Sequence, residues 1–226
     1  MNPYFVTNHY NFVEKIIVKK RNEMLNLIIS KIESIKINNL LDVGTTSDAE
    51  YESSNSITTN IKDLKEYKSL AIQDIENNFF HIKYKRSITE NFTNEDIEKM
   101  SADLVISTAT IEHVGSEDNQ IKMIENCSKL SKKIFVITTP NRFYPIEFHT
   151  KIPFIHWLPK KLHRILLKMI GLKEFSEESN LNLLSESDII NIFKKFDKKV
   201  KFSIHKIKLF GITSNYVIFA KNYHVK

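Results

Sequence analysis

The chain has 226 residues, of which 42% are hydrophobic and 27% charged, and its formal net charge is +6. It contains only four glycines, where average usage would give about 16, and this scarcity excludes collagen-like repeats, Gly/Ser linkers and phosphate loops built from several glycines. No apolar run reaches the ~18 residues of a membrane span, and the N-terminus does not resemble a signal peptide, so we expect a soluble cytoplasmic protein.

In the first half of the chain, one long helix is followed by strands that alternate with shorter helices. Apolar residues recur at helical spacing through residues 12–36 and predict an entry helix. Strands separated by helices indicate βαβ units, and hence a parallel sheet with helices on both faces. The short apolar runs that predict the strands cover residues 39–44, 69–74, 79–84, 102–107 and 133–138.

The helices between these strands are predicted from their caps and their apolar spacing. The helix at about 118–131 carries the single cysteine, Cys127. We expect a buried structural thiol there, because one cysteine forms neither an internal disulfide nor a Cys-based zinc site. The predicted caps of the other two helices are Asn55 or Ser56, and Thr93 or Asn94.

After residue 140 the alternation of strands and helices breaks. An aromatic and histidine-rich stretch precedes a basic amphipathic helix at 160–170. Ser187 is the predicted cap of a later helix, and two final apolar runs, 200–210 and 215–220, predict an antiparallel hairpin. We expect one domain over residues 1–226, divided into a helix at 12–36, a core at 37–140, a lid at 141–184 and a C-terminal helix and hairpin at 185–226.

The carboxyl ends of the predicted strands mark a candidate ligand site. Ligands of doubly wound sheets bind beyond these ends, near the point where the strand order reverses. The lid follows one of these strands, so we expect it to cover the site. The residues at the strand ends are Asp42, Gly44, Asp74, Ser107 and Thr138.

Three segments together resemble the class I S-adenosylmethionine-dependent methyltransferases over nearly the whole chain. Residues 40–44, Leu-Leu-Asp-Val-Gly, are similar to the first strand of that family and to the start of its glycine-rich turn. Residues 102–114 are similar to its fourth strand and the following Glu-His-Val segment, and residues 135–142 to its fifth strand and Pro-Asn turn. The resemblance implies an α/β, doubly wound, Rossmann-like sheet of seven strands, ordered 3-2-1-4-5-7-6 with an antiparallel last strand. It also implies a methyl-transferring enzyme with S-adenosyl-L-methionine (SAM) as cofactor.

The same resemblance implies where the cofactor binds. Gly44 lets the backbone approach the methionine part of SAM, and Asp74 accepts hydrogen bonds from the ribose hydroxyls. Where the family has further glycines this chain has Thr46 and Asp48, so either polar groups of the loop hold the cofactor carboxylate or the loop is a solvent-exposed insertion. The expected cofactor-binding residues are Asp42, Gly44, Thr45, Thr46, Asn55, Asp74, Ser87, Ile88, Ser107, Thr108 and Ala109.

His113 is the candidate catalytic base, because an imidazole with a pKa near ~6.5 suits the removal of a hydroxyl proton at neutral pH. The alternative is a histidine that only packs or bonds to backbone. The histidine spacing matches no compact zinc motif, so no metal is expected. The expected acceptor-binding residues, of which Trp157 alternatively belongs to the lid core, are Asn141, Arg142, Glu147, His149, His156 and Trp157.

The acceptor is less sharply predicted than the cofactor. The Thr-Pro-Asn-Arg turn at 139–142 and the aromatic lid resemble enzymes of surface-polysaccharide biosynthesis, which implies a small-molecule or glycan acceptor methylated at oxygen. Only four of the 33 basic residues are arginine, which argues against a nucleic-acid partner. The helix at 160–170 either packs on its own domain or contacts an anionic membrane. A non-catalytic binding module and an RNA methyltransferase stay open as alternatives, and so does the oligomeric state.

Overall fold

The computed structural model describes residues 11–47, 53–196 and 200–222, and the side chains of this part from residue 14 onward. A seven-stranded sheet runs through the described residues in the order β3-β2-β1-β4-β5-β7-β6. Neighbours among the first five strands are parallel, whereas β7 is antiparallel to both β5 and β6. The predicted fold class and strand order are therefore confirmed. The strands are β1 (Asn39–Val43), β2 (Glu66–Ala71), β3 (Ile82–Lys85), β4 (Ala102–Thr108), β5 (Ser131–Pro140), β6 (Val200–Leu209) and β7 (Ile212–Asn222).

The helices flank this sheet, and their starts follow local capping chemistry. Thr93 accepts a hydrogen bond from the backbone of Asp96, whose carboxylate accepts one from the backbone of Thr93, which confirms Thr93 as the cap of α3. The predicted cap Ser187 is wrong, because Ser185 makes the equivalent pair of bonds with Asp188. The helices are α1 (Asn11–Ile32), α2 (Ser56–Thr59), α3 (Asn94–Met100), α4 (Glu117–Leu130), α5 (Lys160–Met169), α6 (Lys173–Ser176) and α7 (Glu186–Phe196), with 3₁₀ turns at Ile111–His113 and Ile155–Trp157.

The core consists of two apolar layers, one on each face of the sheet, because successive strand residues point to opposite faces. Leu40 and Leu104 pack against Ile28 of α1 on one face. Leu41 and Val105 pack with residues of α4 and α7 on the other. Each such fully buried side chain contributes about 1.5–3 kcal/mol relative to exposure. Cys127 is fully buried in the second layer, and burial raises the pKa of its thiol to about 12, as expected of a structural cysteine.

Several predicted element boundaries are wrong, and at the start of the second strand the reason is a buried polar residue. The second strand ends at Ala71 rather than at residue 74, and it begins at Glu66. Its Lys68 is buried, and the ammonium donates to the carbonyls of Lys99 and Ser101 at 3.0 and 3.2 Å. A lysine whose stem is buried while its ammonium is hydrogen-bonded interrupts the apolar run, so the start of this strand is not recognised from hydrophobicity. The helix expected from residue 55 is one turn, Ser56–Thr59, and α1 ends at Ile32 rather than at residue 36.

The lid folds on a small core of its own and is tied to the end of β4. Its apolar cluster contains Leu167 of α5 and Phe175 of α6. Asn182 donates through its backbone to the carbonyl of Glu112 and through its amide to that of Gly115, both at 2.7 Å. No helix in the described part of the chain has the length and apolar character needed to cross a membrane.

Candidate active site

A cavity of about 420 Å³ opens at the carboxyl ends of β1, β2 and β4. One wall is the turn after β1, another is formed by the segments after β2 and β3, and α1 contributes a third. This is the edge of the sheet where the sequence analysis places the ligand. Of the predicted cofactor residues, those that line the cavity are Gly44, Thr45, Thr46, Ser87, Ile88, Thr108 and Ala109.

The turn after β1 requires glycine. Gly44 has a φ of 83°, and a Cβ built on it would lie 2.2 Å from Oγ1 of Thr110. Its backbone N–H donates to the carbonyl of Leu70 at 2.8 Å, so the turn is tied to the end of β2. A larger residue would have to displace the Thr110 side chain and adopt a left-handed backbone at the same time.

Asp42 lies beneath this turn and does not line the cavity. It is only 3% exposed, and its two carboxylate oxygens accept hydrogen bonds of 2.7 Å from the hydroxyls of Thr45 and Thr58. Burial raises the pKa of the Asp42 carboxyl, opposed by these two bonds and by the charge of Arg21. Asp42 therefore orients Thr45 from below rather than facing a ligand directly.

The polar loop after the turn is held at both ends. Asn55 also lies outside the cavity lining; its amide oxygen accepts from the backbone of Thr46 at 3.1 Å and its amide nitrogen donates to the Thr46 carbonyl at 2.9 Å. Asn55 occupies the predicted cap position of α2, but its side chain makes no capping hydrogen bond there. Ser53 donates to Glu14 of α1 at 2.9 Å and accepts from the guanidinium of Arg21. Asp48 lies outside the described residues.

Asp74, which follows β2, does not lie where the predicted ribose contact requires it. Asp74 is outside the cavity lining, its side chain is 78% exposed, and it pairs with Lys85 at 2.6 Å. The cavity is lined instead by the preceding residue, Gln73, together with Ile72. Ser107 is also outside the lining: its buried hydroxyl donates to the carbonyl of Val43 at 2.9 Å and joins β4 to β1.

A second, smaller cavity of about 150 Å³ adjoins the first. It is bounded by the ends of β4 and β5, by α1 and by the β6–β7 turn. Five residues that line both cavities are Ile17, Arg21, Thr108, Ala109 and Phe148. His149 of the lid also lines both, and Glu112 lines only the smaller one. The arrangement therefore provides a large and a small compartment with a shared wall.

Two histidines and two glutamates meet where the compartments join. Nε2 of His113 lies 3.0 Å from Nε2 of His149, and Nδ1 of His149 lies 2.5 Å from Oε1 of Glu147. Nδ1 of His113 lies 2.6 Å from the carbonyl oxygen of Asn180. A carbonyl only accepts, so His113 carries its proton on Nδ1. Glu112 is fully buried, and its Oε2 accepts from the hydroxyl of Thr139 at 2.9 Å.

The pKa values in this group diverge. Burial, together with the charge of the adjacent His149, lowers the pKa of His113 to about 3. Burial also disfavours charge on His149 and Glu147, but their mutual attraction outweighs it, so the pKa of His149 is raised and that of Glu147 is lowered to about 2. Burial raises the pKa of Glu112 to about 7. A general base needs a pKa near the working pH, so the structure does not support His113 in that role.

The other predicted acceptor residues hold the lid together and line neither of these two cavities. Asn141 donates to the carbonyl of Thr213 at 2.8 Å. Arg142 donates to the carbonyls of His156 and Leu158. His156 is buried against the carbonyl of Tyr144, and Trp157, 44% exposed, packs edge-on against Phe154.

Solved methyltransferase structures share this architecture over most of the chain. The plantazolicin methyltransferase BpumL in complex with SAH is 10% identical, with a TM-score of 0.59 over 91% of this chain and 85% of that one. Magnesium protoporphyrin IX methyltransferase from Synechocystis PCC 6803 with bound SAM is 10% identical, with a TM-score of 0.53 over 98% and 88%. This chain has the class I methyltransferase fold. A small RNA methyltransferase is 12% identical, with a TM-score of 0.54 over 91% of this chain and 26% of that one. Neither a family model nor a curated protein sequence matches the chain.

Within this methyltransferase fold, several polar residues that line the larger cavity were not predicted from the sequence, among them Gln73, Glu14 and Arg21. Gln73 was missed because the strand was extended to the nearest acid, Asp74. Glu14 and Arg21 of α1 were missed because their spacing marks only a polar helix face. Arg21 is one of just four arginines, and this rarity was the sequence signal that could have identified it as a site residue.

Proposed function

We propose that this protein is a SAM-dependent methyltransferase that modifies an oxygen of a small-molecule or saccharide acceptor. The observation that carries the proposal is the cavity of about 420 Å³ beyond β1, β2 and β4, on the fold that SAM- and SAH-bound methyltransferases share. When bound, SAM supplies the methyl group on its sulfonium.

The residues around the cavity fit this cofactor. Gly44 leaves room that a Cβ would fill, which allows close approach to the backbone. The hydroxyl oxygens of Thr46 and Thr108 are buried and have no hydrogen-bond partner among the described residues, so both are available to a ligand. Arg21 offers a cation to the methionine carboxylate, and Gln73 an amide to the ribose. Ser87 and Ile88 line the end that would hold the adenine.

The smaller cavity is the proposed acceptor compartment. It shares Thr108, Ala109 and His149 with the larger one, so an acceptor there would face the sulfonium end of the cofactor. Holding the two reactants in line removes much of the entropic barrier to methyl transfer. The small volume, about 150 Å³, suits one hydroxyl-bearing group rather than a whole macromolecule. The preference for a saccharide rests on the resemblance of residues 139–142.

An RNA acceptor is the second candidate. It is favoured by the net charge of +6 and by the structural similarity to a small RNA methyltransferase. A screen of sugars, small hydroxyl compounds and short RNAs for a mass gain of one methyl group separates the candidates. RNA binding without methylation of the RNA would contradict the RNA candidate, and methylation of RNA alone would contradict the small-molecule candidate.

Calorimetry with SAM and S-adenosylhomocysteine (SAH) tests the cofactor assignment. We expect Gln73→Ala to weaken SAH binding roughly tenfold, as the loss of a hydrogen bond of about 1–1.5 kcal/mol predicts. Asp74→Ala is the matched control, because the neighbouring side chain is exposed and outside the cavity. Absence of binding at millimolar ligand would refute the proposal, and loss of binding only in Asp74→Ala would restore the ribose role first expected of Asp74.

A further inference from the structure

The cluster between the two cavities has the composition of a metal site. Glu112, His113 and His149 each offer one ligand atom, and these three atoms lie within 4.8 Å of one another. Glu112 and His113 belong to the 3₁₀ turn after β4, and His149 comes from the lid, so the group forms only when the lid packs on the sheet. We propose that Glu112, His113 and His149 bind one divalent transition-metal ion.

The outer nitrogens of both imidazoles are arranged as in metal-binding histidines. Nδ1 of His113 faces the carbonyl of Asn180, and Nδ1 of His149 faces the carboxylate of Glu147. Each acceptor fixes a proton on Nδ1 and leaves the lone pair on Nε2. A carboxylate or a carbonyl behind each histidine is the usual second layer of a metal site, where it orients the ring.

The Nε2 atoms also have the separation that a shared ion needs. They lie 3.0 Å apart. Two nitrogens bound at about 2.1 Å and at right angles to each other would be about 3.0 Å apart, whereas a tetrahedral angle would separate them by about 3.4 Å. The spacing therefore fits neighbouring positions of an octahedral ion with further positions open.

The buried carboxylate of Glu112 distinguishes a metal ion from a proton shared between the two histidines. A proton shared by the two Nε2 atoms would satisfy His113 and His149, with Glu147 balancing the charge. It would leave Oε1 of Glu112 without a hydrogen-bond partner among the described residues, although this side chain is fully buried. A buried, unpartnered carboxylate oxygen is costly. An ion bound by all three residues satisfies this oxygen as well.

The ligand set selects the class of ion. Two imidazoles and one carboxylate suit Mn²⁺, Fe²⁺, Co²⁺ or Zn²⁺, whereas Mg²⁺ and Ca²⁺ prefer oxygen ligands alone. No metal was expected from the sequence because the histidines form no compact motif: His149 lies 36 residues beyond His113. That expectation is revised by this proposal.

The ion's role in catalysis rests on the proposed function, whereas ion binding does not. His149 lines both cavities, so the ion would contact an acceptor oxygen in the smaller one and lower the pKa of its hydroxyl. The oxygen then forms a bond to the methyl carbon, the sulfonium–carbon bond breaks with its electron pair going to sulfur, and the hydroxyl proton passes to solvent.

Metal-free protein is prepared with a chelator and titrated with Mn²⁺, and binding is measured by calorimetry and electron paramagnetic resonance. A separate titration with Co²⁺ is monitored through the visible spectrum of the ion. We expect one ion per chain. His149→Ala and Glu112→Gln should each weaken Mn²⁺ binding at least tenfold, and Glu147→Gln about 10- to 100-fold through the orientation of His149. His205→Gln, a histidine on β6 away from the cluster, should change nothing.

Circular dichroism and SAH calorimetry on each variant show that it is folded. Absence of Mn²⁺ and Co²⁺ binding at millimolar concentration, or equal binding by wild type and His149→Ala, would overturn the metal site. Stoichiometric ion binding without SAH binding would refute the proposed function and leave the metal site standing. SAH binding without ion binding would refute the metal site and leave the proposed function standing.

Discussion

At Gly44 the backbone passes so close to Thr110 that the side chain of any other residue would collide with it. Gly171 has the same left-handed conformation, with a φ of 87°, but no atom lies within 4 Å of a Cβ built there. The two glycines therefore separate two physical effects, backbone strain and steric overlap. Only Gly44 lines the cavity.

We expect Gly171→Ala to cost about 1 kcal/mol of unfolding free energy from the backbone alone. Gly44→Ala should cost a further 1–3 kcal/mol, roughly, because it also displaces Thr110. Urea denaturation measures both, and SAH calorimetry should show loss of binding only in Gly44→Ala. Equal destabilisation of the two variants would mean that Thr110 moves aside freely.

Among the elements, α1 contributes to the site as well as to the core. Its apolar side packs Met24 and Ile28 on the sheet, and its other side brings Glu14 and Arg21 to the cavity. Through Ser53, these two polar residues also hold the end of the loop that follows β1. The helix thus couples the loop to the core of the domain.

Arg21→Gln should weaken SAH binding by about tenfold or more, because hydrogen bonds to a charged group contribute about 1.5–3 kcal/mol. Lys19→Gln removes the same charge from an exposed position of α1 and is expected to leave the affinity unchanged. Calorimetry measures both variants. A similar loss in the two would indicate a general effect of net charge instead of a contact with the cofactor carboxylate.

Helix α5 of the lid buries one side in the lid and exposes apolar residues on another. His163 and Leu167 are buried, whereas Ile165 and Met169 are 55% and 76% exposed. Lysines flank the exposed residues, and this combination favours adsorption to an anionic lipid surface. Both expectations from the sequence, packing and membrane contact, therefore remain compatible with the structure.

If α5 contacts membranes, the protein should sediment with vesicles that contain phosphatidylglycerol and not with neutral phosphatidylcholine vesicles. Replacing Ile165 and Met169 by Glu should reduce the bound fraction more than tenfold, since each buried apolar side chain contributes about 1.5–3 kcal/mol. Ile212→Glu, at the exposed start of β7, is the control. Sedimentation that depends on neither lipid charge nor these residues would contradict the prediction.

For the molecule as a whole, the position of the lid determines what the site contains. Asn182 ties the lid to the turn after β4, and Asn180 and His149 of the lid then contact His113. Arg142 and His156, expected to bind the acceptor, instead bond to lid carbonyls. The lid thereby contributes Phe148 and His149 to the wall of the smaller cavity, the proposed acceptor compartment, and it supplies one of the three proposed metal ligands.

Much of the fold was predictable from the sequence, because short apolar runs and capping residues are local signals. The strands β1 and β4 were predicted to within one residue, and Thr93 was correctly among the two candidate caps. Gly44, Ser87 and Thr108 line the cavity at the predicted edge of the sheet, because they lie at or just beyond strand ends. Predictions became less accurate where the chain leaves the sheet.

The sequence by itself determined the layered α/β architecture and the edge of the sheet where the larger cavity lies, since the periods of hydrophobic residues define the strands and their carboxyl ends. Only the tertiary structure decided which polar side chains face the cavity. A strand that ends three residues early brings Gln73 rather than Asp74 to it. The meeting of Glu112 and His113 with His149 depends on the folding of the lid over the sheet, and no local pattern encodes such a long-range contact.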